Sequence, residues 1–161
     1  MDDEIIEVVD DGGVVTGTAS RAVVRAQNLW HRTAFVVVRS SVDDVLAHRR
    51  ALTSPLAPGR WDLGFGGACG VGETLHAAAA RELWEEAGIR TTLRQLTDYR
   101  WDGEETRETG RLYETRCDGP FTHPADEVEE SRFVSMDELD KFIAGHDVLD
   151  AALQLILPVL R

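Results

Sequence analysis

Between Gly67 and Ile89 the chain reads glycine, five residues, Glu73, seven residues, Arg81-Glu82-Leu83, one residue, Glu85-Glu86, one residue, Gly88-Ile89. Within it Leu75, Ala78, Ala79, Leu83 and Ala87 recur at three- and four-residue spacing, which predicts an amphipathic helix opening at Thr74 and stopping at Gly88. Threonine is a preferred N-cap, and glycine takes the left-handed turn that ends a helix. Residues three and four apart share a helix face, so Glu82, Glu85 and Glu86 are expected to present three carboxylates to one side. Ala79 and Leu83 point elsewhere, and the fold must bury them.

Three carboxylates on neighbouring turns repel one another and raise each other's proton affinity, an arrangement that makes sense mainly around a divalent cation. All-oxygen ligands suit a hard ion, and Mg2+ characteristically shares its shell between carboxylates, water and substrate phosphates. Phosphate chemistry is therefore the expectation. Taken alone, three acids on a helix are equally the mark of a solvated face with Arg81 as local counter-charge. The flanking pattern argues for a site: Gly66-Gly67 lets backbone approach a ligand, and Glu73 and Arg81 are placed to pair two turns apart.

The rest of the chain supplies strands around this helix. Ile5 to Val9 and Val14 to Ala19 flank Asp10-Asp11-Gly12-Gly13 and predict a hairpin. Thr33 to Val38 has the composition of a strand buried on both faces, with Val45 to Arg49 as its antiparallel return and a loop at Pro55, Pro58 and Gly59. Leu93 to Trp101 and Arg111 to Cys117 read as strands separated by a polar turn around Asp102, Gly103 and Glu104, and Met136 to Ala144 as a helix. Val148, Leu149, Ala152, Leu153, Ile156, Leu157 and Leu160 form one helical stripe that covers a core. The sum is an α/β (α+β) chain, a mixed sheet sandwiched by helices, in a single domain over residues 1–161 with no repeat or linker to divide it.

Charge narrows the partners. Lys and Arg total 17 against 29 Asp and Glu, a net charge of −12 that repels long nucleic acid. No stretch approaches the roughly 20 apolar residues of a membrane span, and the acidic start Met1-Asp2-Asp3-Glu4 is unlike a secretory leader, so a cytoplasmic protein without membrane contact is expected. Cys69 and Cys117 stand far apart and outside any zinc-type spacing, as two free thiols. The N-terminal hairpin offers an edge that suits a homodimer.

The Gly67 to Ile89 stretch matches at every defined position the box G-x5-E-x7-R-E-U-x-E-E-x-G-U of the Nudix hydrolases, U being a bulky aliphatic residue. Coincidence at a given start has odds on the order of 10^-10. Beyond the box, His31 to Phe35, Pro58 to Asp62 and Asp126-Glu127-Val128 look similar to the subgroup related to isopentenyl diphosphate isomerase, so the resemblance runs from about Ile5 to Leu157. It implies a Nudix-like α/β/α sandwich whose helix holds Mg2+, or Mn2+ in its place, through Glu82, Glu85 and Glu86 and the Gly67 carbonyl. Arg81 and Glu73 would orient the cluster.

The implied reaction is hydrolysis of a diphosphate bond in a nucleoside diphosphate derivative or related organic diphosphate, with Glu127 as general base and Glu85 as the competing assignment. Arg49 and Arg50 are candidates to clamp a phosphate, although a pair of surface arginines is the commoner reading, and Trp61, Phe65 and Trp101 are candidates to stack on a base or cover an isoprenoid chain, with core packing the alternative for each aromatic. His31 reads as structural rather than as a metal ligand. Two further functions stay open. Isomerisation needs a cysteine where Gly66 stands and a histidine where Ala68 stands, with Cys69 three residues beyond Gly66; a non-catalytic ligand sensor would not need the intact acid cluster.

Overall fold

A computed structural model describes residues 3–161, so Met1 and Asp2 of the acidic start lie outside the described part. In chain order the elements are β1 (Ile5–Val9), β2 (Val15–Ser20), α1 (Arg21–Gln27), β3 (Trp30–Arg39), β4 (Val45–Arg50), β5 (Trp61–Asp62) and β6 (Phe65–Ala68). There follow α2 (Leu75–Ala87), β7 (Arg94–Asp102), β8 (Arg107–Arg116), β9 (Val128–Val134) and α3 (Leu139–Gly145). A π-helical turn, Ala152–Ile156, then runs into α4 (Leu157–Leu160). Pro158 has no N–H to donate and its ring would meet the carbonyl four residues back. The turn before it widens accordingly, Leu157 N–H reaching Ala152 O instead.

Apolar on every residue from Ala34 to Val38, β3 can be buried on both faces, and it forms the axis of the molecule. It runs parallel to β8 in register from Trp30 with Arg107 to Arg39 with Arg116, while Thr33 to Val36 pair antiparallel with β6. Ala34, Val36 and Val38 face α2, together with Phe65, Ala78, Ala79 and Leu83. Val37 and Phe35 face the opposite layer, where Trp61, Leu63, Leu112, Phe142, Ile156 and Leu160 close a second core under α3 and the C-terminal helix. The result is the α/β/α sandwich expected from the sequence. No helix among the described residues is long and apolar enough to cross a membrane.

Two details differ from expectation. The return strand β4 meets β3 only at Arg39 and Val45; its real partners are β9, antiparallel over its whole length, and the short β5. The five-residue turn after Arg39 directs β4 away from β3, and β9 and β5 take up the backbone groups so freed. The last segment is helical as expected, but only through the π-helical turn.

Candidate active site

Helix α2 begins and ends where its caps dictate. Thr74 Oγ1 accepts the Ala77 N–H at 3.1 Å, and Gly88, at φ 69°, returns its N–H to Trp84 O. Alanines at 78, 79 and 87 let the helix lie close on the sheet. Its opposite side carries Arg81, the hub of the site. Arg81 Nε and Nη2 donate to the two oxygens of Glu73 at 2.8 and 2.9 Å. Nη1 reaches Glu82 at 2.8 Å and Glu85 at 3.3 Å, and Nη2 also donates to Ala68 O at 3.1 Å. Glu73 in turn accepts the Gly70 N–H at 2.9 Å, which ties the loop before the helix to the helix itself. The guanidinium so held lowers the Glu73 carboxyl below its usual range.

The three acids do not all meet. Glu85 is half exposed and turned toward Arg81, whereas Glu82 is buried and hydrogen-bonded to Glu86. Burial raises both of that pair; for Glu86 the neighbouring Glu82 carboxylate adds to it, and the rise is large. The hydrogen bond between them favours the charged form of Glu82 and the protonated form of Glu86. Glu127, exposed in the loop before β9, faces the same cluster: burial first, then the charges of Glu82, Asp126 and Glu85, push its carboxyl up. Its backbone is fixed by Ala51 N–H donating to its carbonyl at 3.0 Å. Because Arg81 draws Glu85 outward, no three His, Cys, Asp or Glu side chains among the described residues are gathered to hold a metal ion as they stand.

The two glycines before the helix have different tasks. A Cβ at Gly67 would lie 2.7 Å from Glu82 Oε1, so this backbone abuts the acid cluster. A Cβ at Gly66 would lie 2.1 Å from Ala34 O, so Gly66 is required by the packing of β6 on β3 and not by a ligand.

Of the residues expected to contact substrate, Arg50 and Trp101 face open space and the others are differently engaged. Arg50 donates to Leu56 O and Ser54 Oγ and lines the cavities beside the cluster, close enough for its charge to act on Glu86. Arg49 is turned to Gly59 O at 2.9 Å. The expectation for Phe65 and Trp61 is corrected. Phe65 is fully buried, stacked 4.1 Å from the His48 ring, and Trp61 lies edge-on to Phe142 at 5.1 Å in the second core. Neither presents a face to a ligand, because inward positions of β5 and β6 point into the sandwich. Trp101 does line the cavity that Arg50 borders. His31 is bound to Leu29 O through Nδ1 and sits 3.9 Å from Glu108, its pKa lowered by burial.

Three cavity residues escaped the sequence. Asp62, Tyr99 and Glu108 line a cavity of about 420 Å³ beside the cluster. Glu108 was hidden because β8 starts four residues before its apolar half, in a polar stretch that reads as turn. The one available signal was the alternation of Glu108, Gly110 and Leu112 on one face of an extended strand.

A profile described as the NUDIX domain matches residues 29–153. An uncharacterized Nudix hydrolase of Pseudomonas aeruginosa, PA4841, is 34% identical over 134 residues, covering 83% of this chain and 79% of the relative. The crystal structure of DR0079 from Deinococcus radiodurans superposes with a TM-score of 0.85 at 22% identity, covering 98% of this chain and 100% of that one. The NUDIX domain of Shewanella oneidensis NrtR, solved in complex with ADP ribose, has a TM-score of 0.62 at 17% identity and covers 80% of this chain and 84% of that one.

Proposed function

The chain belongs to the NUDIX domain family and is a Nudix hydrolase, and we propose that it cleaves the diphosphate bond of a nucleoside diphosphate derivative or related organic diphosphate with the help of Mg2+. The observation that carries this reading is the buried, hydrogen-bonded Glu82–Glu86 carboxyl pair against the Gly67 backbone, with Glu127 facing it. A proton held there relieves the same repulsion that a hard cation relieves, and every donor is oxygen. Glu82 and Glu86 would hold the ion, with Glu85 and the Gly67 carbonyl as further donors and Mn2+ as substitute. When bound, such an ion offsets diphosphate charge and makes a water molecule a better nucleophile.

The chain's own groups do the rest. Arg81 fixes Glu82 through a guanidinium anchored bidentate on Glu73, which keeps the cluster ordered while substrate exchanges. Glu127 accepts the proton of the attacking water at its carboxylate, with Glu85 as the competing base. Arg50 donates to a phosphate oxygen at the mouth of the cavity. The ADP ribose complex of a neighbour that shares the fold is in keeping with a ligand of this class.

Isomerisation of an isopentenyl-type diphosphate is less well supported. Gly66 occupies the place where that pattern has its cysteine, and Cys69 is buried with its thiol pushed up to about 11 by burial. A sensor without catalysis would have no use for the strained acid pair. Phosphate release over a panel of nucleoside and isoprenoid diphosphates, with Mg2+ and with chelator, tests the proposal. Glu86→Gln should fold normally and slow turnover by at least about 100-fold. Metal-independent release, or near-normal turnover in that variant, removes it.

A further inference from the structure

The cavity of about 420 Å³ is bounded by β3, β7 and β8 on one side and by the C-terminal helix on the other. Its walls include the aromatic rings of Phe35, Tyr99 and Trp101 and the aliphatic side chains of Leu112, Leu155 and Ile156. A second cleft of about 120 Å³, which reaches Gly66, Gly67 and Ala68, shares Phe35, Arg50, Leu56 and Glu108 with it. The two clefts therefore adjoin at these side chains, the smaller reaching the backbone under Glu82 and the larger the Trp101 ring. A diphosphate seated at the acid cluster would direct the remainder of its molecule into this volume.

The floor of the cavity is not apolar. Asp62, 7% exposed, accepts the Leu63 N–H at 2.7 Å, and Glu108, with 12% of its side chain exposed, faces it closely enough for the Asp62 charge to act on it. Thr33 donates to Glu108, and Arg50 acts on both acids from the side of the catalytic cluster. At the rim stand Glu104, Glu105 and Asp150. No step of hydrolysis uses Asp62 or Glu108. We propose that this cavity seats the heterocycle of the substrate and that Asp62 and Glu108 select a nucleobase bearing an exocyclic amine, an inference that rests on the hydrolase reading above and narrows its substrate class.

The physics of discrimination follows from the acceptors. An amine turned to the floor donates to carboxylate oxygens that otherwise lose their water when the cavity fills. A carbonyl in the same place sets oxygen against carboxylate oxygen, and an alkyl chain leaves acceptor positions of both acids unfilled, the kind of loss that a buried polar site punishes most heavily. Burial, reinforced by the Asp62 charge, lifts Glu108 to about 7. An amine that donates to Glu108 favours its carboxylate form and so works against that rise, which a carbonyl cannot do. The three aromatic rings suit a planar ligand better than a branched aliphatic one.

Calorimetric titration of the whole protein with α,β-methylene ADP, α,β-methylene IDP and isopentenyl methylenediphosphonate in the presence of Mg2+ tests this. None of these probes can be hydrolysed at the bridging position, and the first two differ in the amine-for-carbonyl exchange. The ADP analogue should bind at least about tenfold tighter than the other two, and Glu108→Gln should close the ADP–IDP gap to within about threefold. Leu155→Trp, which narrows the cavity without touching an acid, should weaken the ADP analogue by about tenfold or more; it decides the matter if Glu108→Gln fails to fold. Equal affinities, no binding of either nucleotide analogue, tighter binding of the isopentenyl probe, or indifference to both variants would overturn the assignment. Selective binding of the ADP analogue without phosphate release from ADP would leave the pocket standing and sink the hydrolytic reading. Equal hydrolysis of ADP and IDP with equal analogue affinities would do the reverse.

Discussion

Gly67→Ala puts the acid cluster under a defined strain. The added methyl would lie 2.7 Å from Glu82 Oε1, 2.8 Å from Cδ and 3.1 Å from Oε2, where ordinary contacts begin near 3.4 Å. The carboxylate must retreat by about 0.7 Å. It cannot retreat freely, since Arg81 holds it at 2.8 Å and Glu86 is hydrogen-bonded to it. A displacement of about 1 Å in a catalytic group lowers turnover on the order of 100-fold, so a fall in kcat of roughly 30- to 100-fold is expected, together with weaker Mg2+ dependence. The fold should survive. The contact is with the end of a side chain, and loss of one partly screened charged hydrogen bond is worth about 1 kcal/mol, or roughly 2–4 °C in Tm.

Gly66→Ala is the control. Its methyl would meet Ala34 O at 2.1 Å and Phe35 Cα at 2.8 Å, both part of the central strand, so the variant should lose about 3 kcal/mol or more and express poorly. Steady-state kinetics, an Mg2+ titration and thermal melts of the two proteins separate the cases. If Gly67→Ala kept kcat within about threefold with unchanged Mg2+ response, or melted as early as Gly66→Ala, the placement of Glu82 over Gly67 would not be what organises the site.

Arg81→Lys keeps the charge but loses the bidentate grip on Glu73, and should lower kcat by about 10-fold or more with a small drop in Tm, measured by kinetics and melting. Glu127→Gln should cost about 10^2-fold or more in kcat and Glu85→Gln clearly less; the opposite ranking in a pH–rate comparison transfers the base to Glu85. Stability in the absence of metal has two pH limbs. Glu108 is held up to about 7 in the folded chain, so its contribution is full below 4.5 and lost as pH rises toward 7, a slope that Glu108→Gln should flatten. Buried His48 is held down to about 3 from 6.5, so the unfolded chain takes up a proton first and stability falls as pH drops from 6.5 toward 3. His48→Phe keeps the stack on Phe65, removes a buried Nδ1 without partner, and should raise Tm at pH 5, read by calorimetry. Cys69→Ser should leave diphosphate hydrolysis within about twofold, and a folded but inactive variant would bring isomerase-like chemistry back.

Helix α2 was legible because its information is local: Thr74, the three- and four-residue apolar spacing and Gly88 each act within one or two turns. Strand β6, Phe65-Gly66-Gly67-Ala68, was not. Two glycines have no strand preference of their own, and Gly66 is there because the backbone of β3 leaves no room for a Cβ. Strand β9 was hidden for another reason. Val128 to Val134 is buried mainly at its ends, with Glu129, Glu130 and Arg132 carrying solvent-facing positions, so neither a buried run nor a clean alternation marks it. The seven-residue α1, with two valines in its middle, is too short to announce itself against its capping by Ser20.

The same division separates the catalytic groups from those around the cavity. Arg81, Glu82, Glu85 and Glu86 are related by helical spacing, which can be computed from position in the chain alone. Asp62 and Glu108 meet only through strand register. The β3–β8 pairing sets Glu108 opposite His31, and the β4–β5 pairing sets Asp62 opposite His48, two residues before the Arg50 that acts on both acids. A slip of one residue in either ladder would turn these side chains to the other face of the sheet. Chemistry encoded on a helix and recognition encoded in strand pairing can therefore change independently. Replacement of a side chain at the inner end of β8 alters what the cavity accepts without moving an atom of the Arg81–Glu82 anchor, which rests on α2 and the Gly67 backbone.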